Sequence, residues 1–333
     1  MAFDWVCLNE TAPENTSSLL SMMSTLSTSA KLDPNSRAFA YGDGFFTTIG
    51  VMHGKLLWQP YHAKRLTHHA HALHITLTDG QDATLWQHAQ TLARQIEHGI
   101  IKVIVTRPIQ AVRGYGFSTE PTDNKAQIWL GSKPTDPLVD LDDFSLNNSC
   151  NNLYNNAKLA DYLGINTDNN PLPLMQPAIT AVCLDARLSS HSPPLAGLKT
   201  LNRLDNVLAS GELNAKRHAQ PEQHFSEGLM RDLVGNWVEG TMSNVFYRLQ
   251  DDLGEGLSNM WYTPPIVSAG VAGVMRSVLM NTCKQAKLPC VERPLTDADL
   301  PNLQALFFCN AVRGVVPVKT LTFSDENIGF DVV

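Results

Sequence analysis

Segments rich in β-branched and aromatic residues occur in both halves of this chain, without a regular alternation of strands and helices. Strands are predicted near 45–52, 100–106, 126–130, 179–184, 228–230, 245–247 and 306–309. A doubly wound parallel sheet would require a repeating strand–helix–strand order, which this sequence does not show. The pattern therefore predicts an α+β fold.

Apolar residues recur at helical spacing in four segments. Helices are predicted from 61 to about 73, from 85 to 96, from 201 to 208, and onward from Gly273. In the second of these, Trp86, Ala89 and Ala93 would share one face. Gly54 predicts a hairpin between the first strand and a short apolar segment at 56–58.

The composition and its local shifts predict the domain organisation. The chain has 333 residues, of which 43% are hydrophobic and 17% are charged, as expected for about two globular domains. Residues 134–177 are rich in asparagine and proline, which predicts a linker or an insertion. An N-terminal extension is expected at 1–35. A smaller α+β domain is then expected at 36–133, and a larger α+β domain at 178–333.

The charge and the cysteines restrict the class of protein. The net charge is −7 and the pI is about 5.8, whereas nucleic-acid-binding proteins usually present a basic face. No run of about 18 apolar residues predicts a membrane span, and no secretory signal is recognisable. The six cysteines have no CxxC spacing, and three lie in apolar surroundings that suit free buried thiols. We therefore expect a cytoplasmic protein that binds neither nucleic acid nor membranes.

Residues far apart in the sequence carry groups for anion binding and amine chemistry. Lys199 offers an amine that could form a Schiff base and act as an acid/base. Arg65 could clamp a phosphate with its planar guanidinium. The segment Gly270–Gly273 precedes a predicted helix, so the first amides, those of Val274 and Met275, could bind the same phosphate at the positive end of the helix dipole.

Other residues could complete such a site. Gly273 would let the backbone come close to a phosphate, and Glu239, after the strand at Trp237–Val238, could keep a pyridine nitrogen protonated. Arg113 lies in a glycine-flanked loop that could bind a carboxylate or simply form a hairpin turn. Taken singly, each candidate has an ordinary alternative: a surface lysine, a solvated helix arginine, a strand-end glutamate or a glycine turn.

Four histidines lie close together in the predicted helix at 61–73. They are His68, His69, His71 and His74. Although His71 and His74 would share a helix face, no nearby acidic residue or cysteine completes a metal site. A solvated helix surface is the better interpretation, and no metal is expected.

The order and spacing of these motifs resemble the fold-type IV pyridoxal-phosphate enzymes, the branched-chain aminotransferase-like class. The resemblance runs from about Ser36 to Val318. Its motifs lie at 37–48, 62–66, 102–107, 113–115, 196–204, 273–276, 309–312 and 317–318. It implies a two-domain α+β fold with mixed or antiparallel sheets and flanking helices. It further implies pyridoxal 5'-phosphate in the cleft between the domains, and a homodimer.

The resemblance also implies roles for individual residues. Lys199 would be the Schiff-base lysine and catalytic residue, and Glu239 would pair with the pyridine nitrogen. Asn244 falls on the asparagine that follows the glutamate in this class. Arg113 and Asn310 would contact substrate carboxylates.

The phosphate of the cofactor would be bound by residues from two distant motifs. Arg65 would supply the guanidinium, and the amides of Val274 and Met275, after Gly273, would supply backbone donors.

Lyases and transaminases share this scaffold. Transaminases often carry a tyrosine five residues after the lysine, whereas here that position is Leu204, in a run with the lyase-like form. We therefore expect a carbon–oxygen lyase. A D-amino-acid or branched-chain transaminase is the enzymatic alternative, and a cofactor-binding relative without catalysis is the non-enzymatic one. The chain departs from the class in two places. The 134–177 stretch is longer than expected, and the turn at 235–239 is one residue shorter than expected.

Overall fold

The computed structural model describes residues 3–8, 33–135, 157–164, 172–250, 260–324 and 326–332. The chain divides into two compact units. The first lies within Met1–Leu138 together with Leu198–Asn202, and the second within Val139–Gly197 together with Arg203–Val333. The lysine segment, Leu198–Asn202, thus belongs to the first unit, although the chain on either side of it belongs to the second.

The described part of the first unit contains a five-stranded antiparallel sheet and three helices. Its elements are β1 (Asp4–Cys7), α1 (Arg37–Tyr41), β2 (Gly44–Met52), β3 (Lys55–Leu56), α2 (Gln59–Ala72), α3 (Gln81–Ile96), β4 (Gly99–Thr106) and β5 (Gln127–Pro134). The strand order is β1-β5-β4-β2-β3. Strand β1 lies within the predicted N-terminal extension and forms one edge of this sheet.

The alternation of side chains along β2 determines what faces the helices. Phe45 and Ile49 are fully buried in a core that also contains Leu66 of α2 and Ala89 of α3. Because successive strand residues point to opposite faces, Thr47 shares the helix-facing side. The strand predicted at 45–52 and the helices predicted near 61–73 and 85–96 are confirmed, with ends that differ by up to four residues.

The described residues of the second unit form a nine-stranded mixed sheet with three helices. The elements are α4 (Ala157–Leu163), β6 (Ile179–Leu188), α5 (Leu204–Ala219), β7 (Phe225–Asp232), β8 (Trp237–Gly240), β9 (Asn244–Leu249), β10 (Trp261–Thr263), α6 (Val274–Gln285), β11 (Cys290–Glu292), β12 (Leu303–Asn310), β13 (Gly314–Phe323) and β14 (Glu326–Gly329). The strand order is β11-β10-β9-β12-β13-β6-β7-β8, with β14 paired to β13. Strand β6 pairs in parallel with β7 and β13, and β10 pairs in parallel with β11, whereas the other pairings are antiparallel. The predicted α+β class with mixed and antiparallel sheets is confirmed.

One further pairing closes part of this sheet on itself. Glu239 of β8 pairs with Asn244 of β9. Strands β9, β12, β13, β6, β7 and β8 therefore form a closed ring, in which each strand pairs with the one before it and the one after it. Because the closing pair consists of two predicted site residues, the closure of the sheet determines where their backbones lie.

The helix predicted at 201–208 is found at Leu204–Ala219. Its start is later than predicted because Leu201 belongs to the lysine segment, where its N–H donates to the carbonyl of Gly44 in the first unit. Among the described helices, none has the length and apolar character required to cross a lipid bilayer.

A buried helix lies inside the stretch predicted as a linker or insertion. The Tyr162 hydroxyl of α4 donates to the carbonyl oxygen of Leu306 at 3.3 Å, and the indole of Trp261 donates to the carbonyl oxygen of Leu163 at 3.2 Å. The ring of Tyr162 lies 5.6 Å from that of Trp261 and 6.1 Å from that of Phe307. This helix therefore packs in the core of the second unit, while much of the surrounding stretch lies outside the described residues.

We predict that Tyr162→Ala lowers the free energy of unfolding by about 3–5 kcal/mol, because truncating a buried aromatic side chain leaves a cavity. Urea unfolding measures this change. The matched control is Asp161→Ala on the exposed side of the same helix, for which we expect a change within about 0.5 kcal/mol. Equal stability of the two variants would show that α4 does not contribute to the core.

Candidate active site

Hydrogen bonds between main-chain atoms hold Lys199 beside β2. The carbonyl oxygen of Lys199 accepts from the N–H of Phe46 at 3.0 Å, and the N–H of Leu201 donates to the carbonyl of Gly44 at 3.0 Å. The Lys199 Nζ lies 4.9 Å from the centroid of the Phe46 ring. The amine is therefore directed toward the face of the sheet to which Phe46 points.

The backbone N–H of Lys199 is bound by a side chain from α2. It donates to Nε2 of His69 at 2.9 Å. His69 is only 3% exposed, and its ring packs edge-on against that of Phe45 at 5.4 Å. The interpretation of this histidine as part of a solvated helix surface is therefore wrong. Within the described residues there is no group of three or more side chains arranged to bind a metal ion.

His69 belongs to a buried polar stripe on α2. His62, Arg65 and His69 follow one another at spacings of three and four residues, which places them on one helix face. The Thr47 hydroxyl oxygen lies 2.7 Å from His62 Nδ1 and accepts from Arg65 Nη1 at 3.4 Å. Burial, and then the neighbouring charge of Arg65, hold the pKa of His62 well below its ordinary value. Nε2 of His62 is buried and has no hydrogen-bond partner within the described structure.

Arg65 is suited to binding an anion. It is 8% exposed, and burial lowers its pKa from the ordinary value of a guanidinium to about 10. A buried guanidinium is costly unless a negative charge compensates for the lost hydration. Its planar donors also match the geometry of phosphate oxygens. Phosphate binding by Arg65 stays a prediction.

In the second unit, Glu239 is buried and anchors the glycine loop, Gly270–Gly273. Its Oε2 accepts from the N–H of Val271 at 2.8 Å and from Nδ2 of Asn244 at 3.4 Å. Asn244 Nδ2 also donates to the carbonyl of Val271 at 2.8 Å. The two residues that close the sheet therefore also hold the loop that precedes α6.

The glycines of this loop are required by its packing. A Cβ on Gly273 would lie 1.9 Å from Oδ1 of Asn244, and a Cβ on Gly270 would lie 2.9 Å from Val238. Gly270 also has a φ of 83°, which favours glycine. Close approach of a ligand was the expected reason for Gly273. The close approach seen in the structure is that of Asn244, and the approach of a phosphate stays a prediction.

Helix α6 begins at Val274, directly after the glycine loop. The first amides of a helix have no acceptor within it, and they lie at the positive end of the helix dipole. Gly273 in the N-cap position has no side chain that could satisfy them. These amides are of the kind that the sequence predicts, and anion binding by Val274 and Met275 stays a prediction.

Two basic residues that were not predicted as site residues lie near those that were. In the first unit, Lys102 Nζ lies 4.7 Å from the centroid of the Phe46 ring, and burial lowers the pKa of Lys102. In the second unit, burial lowers the pKa of Arg203, while the negative charges of Glu239 and Asp205 partly oppose that shift. Lys102 and Arg203 lie within the motifs at 102–107 and 196–204, but the identity of a residue does not by itself reveal its burial.

A buried carboxylate supports the turn between the residues that close the sheet. Glu227 of β7 accepts from the N–H of Thr241 at 2.9 Å and from the hydroxyl of Ser243 at 2.8 Å. It is 3% exposed, so these neutral donors replace its hydration. Nothing in the local sequence distinguishes Glu227 from a surface glutamate, and sequence reasoning missed it.

Arg113 lies exposed in the loop between β4 and β5 of the first unit. The middle of this loop is held by Arg37, which donates to the carbonyl oxygens of Tyr115 at 3.1 Å and Gly116 at 2.9 Å. Arg37 is itself paired with Asp43 at 2.7 Å. The loop is therefore anchored, and Arg113 remains accessible to a ligand.

Asn310 ends β12 in the second unit and forms a tight local turn. Its Oδ1 accepts from the N–H groups of Val312 at 3.0 Å and Arg313 at 2.8 Å. The side-chain carbonyl is therefore used within the protein. Contact with a carboxylate would have to come from the amide NH₂ of Asn310, which is a donor.

The sequence profile of the amino-transferase class IV family matches residues 44–321. This range includes the lysine segment, the α2 stripe, Glu239 and the glycine loop. The chain therefore belongs to the amino-transferase class IV family, and the resemblance inferred from the motifs is confirmed.

Individual relatives include both lyases and transaminases. An aminodeoxychorismate lyase from Vibrio harveyi is 25% identical over 296 residues, which cover 89% of each protein. The crystal structure of 4-amino-4-deoxychorismate lyase from Pseudomonas aeruginosa is similar with a TM-score of 0.67 and 27% identity, over 92% of this chain and 91% of that one. A D-alanine aminotransferase from Staphylococcus aureus is 23% identical over 303 residues, or 90% of this chain and 87% of the relative.

We predict that Gly273→Ala lowers the free energy of unfolding by about 1–3 kcal/mol, because the added methyl group overlaps the Asn244 side chain. Thermal or urea unfolding measures the effect. Gly211→Ala is the control, because a Cβ at this position in α5 would have no heavy atom within 4 Å apart from the adjacent residues and the backbone of its own helix. The control should match or exceed wild-type stability, since alanine favours a helix over glycine by about 1 kcal/mol. Wild-type stability of Gly273→Ala would contradict the packing described for the loop.

Proposed function

We propose that this chain is a pyridoxal-phosphate-dependent carbon–oxygen lyase that converts 4-amino-4-deoxychorismate to 4-aminobenzoate and pyruvate, for folate biosynthesis. The observation that carries the proposal is the similarity to aminodeoxychorismate lyases over about nine tenths of the chain, both in sequence and in solved structure. The leucine at 204, where transaminases often have tyrosine, also supports the lyase.

The chemistry of the predicted site residues, taken residue by residue, fits the cofactor. Its three reactive features are a phosphate, a ring nitrogen and an aldehyde. Buried Arg65 and the amides of Val274 and Met275 are suited to the phosphate, buried Glu239 to the protonated ring nitrogen, and Lys199 to the aldehyde. This correspondence between donor chemistry and cofactor chemistry supports pyridoxal 5'-phosphate.

When bound, pyridoxal phosphate supplies a conjugated ring that withdraws electrons from the amine-bearing carbon of the substrate. In our proposal, Glu239 keeps a proton on the ring nitrogen. Asn244 supports this role by holding the glutamate oxygen and the glycine loop together. Arg65 and the α6 amides orient the cofactor through its phosphate.

Lys199 moves the proton. Lys199 would hold the cofactor at its aldehyde carbon, and its Nζ, when free, would accept the proton from the amine-bearing carbon of the substrate. The bond from the neighbouring carbon to the enolpyruvyl ether oxygen breaks, which leaves an aromatic ring. Lys199 returns a proton to the methylene carbon of the departing enolpyruvate, which gives pyruvate. Arg113 and the amide of Asn310 are proposed to bind the substrate carboxylates.

We also propose that the protein is a cytoplasmic homodimer. Cys7, Cys183, Cys283, Cys290 and Cys309 are free, as expected in a reducing compartment. In the first unit, Phe39 of α1 is 65% exposed and Tyr115 is 83% exposed, and the rings of Tyr41 and Tyr115 are in contact at 5.2 Å. Exposed aromatic side chains of this kind support an interface with a second copy of the chain.

A transaminase on the same scaffold is the second candidate. The similarity to the D-alanine aminotransferase from Staphylococcus aureus favours it, because it extends over 90% of this chain. The two reactions share the lysine and the cofactor. They differ in whether an amino group is transferred to a 2-oxo acid.

We predict that the purified enzyme releases 4-aminobenzoate and pyruvate in equal amounts from 4-amino-4-deoxychorismate, with no 2-oxo acid added. Elimination expels the leaving group directly, so no amino acceptor is consumed. Chromatography of both products measures the ratio. A parallel reaction with D-alanine or leucine and 2-oxoglutarate is the control. Sustained turnover in that reaction alone would establish the transaminase instead.

We predict that Glu239→Gln retains the cofactor but lowers kcat at least about tenfold, or about 1.4 kcal/mol of barrier. The amide can still accept from Val271, yet it stabilises the protonated ring nitrogen less than a carboxylate does. Steady-state kinetics measure the change, with exposed Glu222→Gln as the control of equal chemistry. A kcat within about twofold of wild type would remove Glu239 from the site.

A further inference from the structure

His69 and Lys199 are 130 residues apart in sequence and are joined by one hydrogen bond of 2.9 Å. A backbone N–H can only donate, so Nε2 of His69 must accept and cannot carry a proton. The ring is therefore neutral, with its proton on Nδ1. Nδ1 of His69 lies 3.4 Å from Nδ1 of His68, which is the acceptor that this tautomer requires.

The surroundings of His69 hold the ring in this orientation. It is 3% exposed and is packed against Phe45, which β2 fixes at the centre of the apolar core. A second hydrogen bond, from the N–H of Phe46 to the carbonyl oxygen of Lys199, holds the other peptide group of Lys199. Lys199 is thus tied at its carbonyl by the strand and at its N–H by a side chain.

These two attachments differ in what they require of the sequence. Any residue at position 46 other than proline supplies the same backbone donor. The acceptor for the N–H of Lys199 depends on the identity of a single side chain, and on its tautomer. A change at His69 would therefore alter the orientation of the lysine while leaving the sheet pairing in place.

We propose that His69 is a positioning residue that fixes the backbone of Lys199 through its neutral Nε2 and thereby sets the direction of the lysine amine. The proposal rests on the proposed function in assigning Lys199 as the reactive amine. The hydrogen bond and the tautomer can be tested without it.

The first test uses the wild-type protein labelled with ¹⁵N-histidine. The histidine whose ring nitrogen signals are lost in His69→Gln should show the shifts of the neutral Nδ1–H tautomer. An Nε2–H tautomer or a doubly protonated ring at His69 would overturn the proposal. This measurement does not require the His69→Gln variant to be active.

The second test compares His69→Phe, His69→Gln and the control His71→Gln in the full-length protein with cofactor added. Phenylalanine retains a ring against Phe45 but has no acceptor, whereas the glutamine carbonyl can accept near the position of Nε2. Hydrogen exchange at the Lys199 amide should accelerate at least about tenfold in His69→Phe. It should remain near wild type in His69→Gln and in His71→Gln, which changes an exposed residue of the same helix.

Turnover should follow the same order, with kcat reduced about tenfold in His69→Phe, KM little changed, and rescue in His69→Gln. Wild-type exchange at the Lys199 amide in a folded His69→Phe variant would overturn the proposal. Borohydride reduction of the wild-type protein with pyridoxal phosphate, followed by peptide mapping, distinguishes a failure of the proposed function from a failure of the proposed role of His69. An adduct on another lysine would refute the proposed function, whatever the exchange data show.

Discussion

The attachment of the lysine segment to β2 is the interaction on which the candidate site depends. Five residues, Leu198–Asn202, leave the second unit and join the first through main-chain hydrogen bonds. Pairing of this kind fixes the direction of each side chain, because successive residues along an extended backbone point to opposite faces. Lys199 consequently presents its amine beside Phe46, while its N–H meets the polar stripe of α2.

In the second unit, buried polar side chains hold the candidate site residues and the glycine loop in place. Glu239 and Asn244 pair where the sheet closes, and both bind the glycine loop before α6. Glu227 supports the turn between them. Buried carboxylates are stable only when donors replace water, so each of these contacts fixes a backbone position and also satisfies a buried group.

Much of the candidate site could be predicted from local motifs, because each motif contains its own chemistry and its own turn. Lys199 in a turn, Arg65 in a helix and the glycine loop before a helix are of this kind. His69 and Glu227 could not be found in this way, because their roles depend on burial and on partners elsewhere in the chain. Helix α4 was also missed, because it is short and lies in an asparagine-rich stretch.

The sequence by itself determined the types of the main elements and the amino-transferase class IV family, because periodicity and motif spacing are properties of short segments. Only the tertiary structure decided that the lysine segment joins the first unit and that Gly273 makes room for Asn244. It also decided that His69 accepts a hydrogen bond from the N–H of Lys199. The physical reason is that a hydrogen-bond partner is chosen by proximity in the folded chain. His69 and Lys199 are 130 positions apart, so the local sequence around either residue contains no pattern that reveals their hydrogen bond.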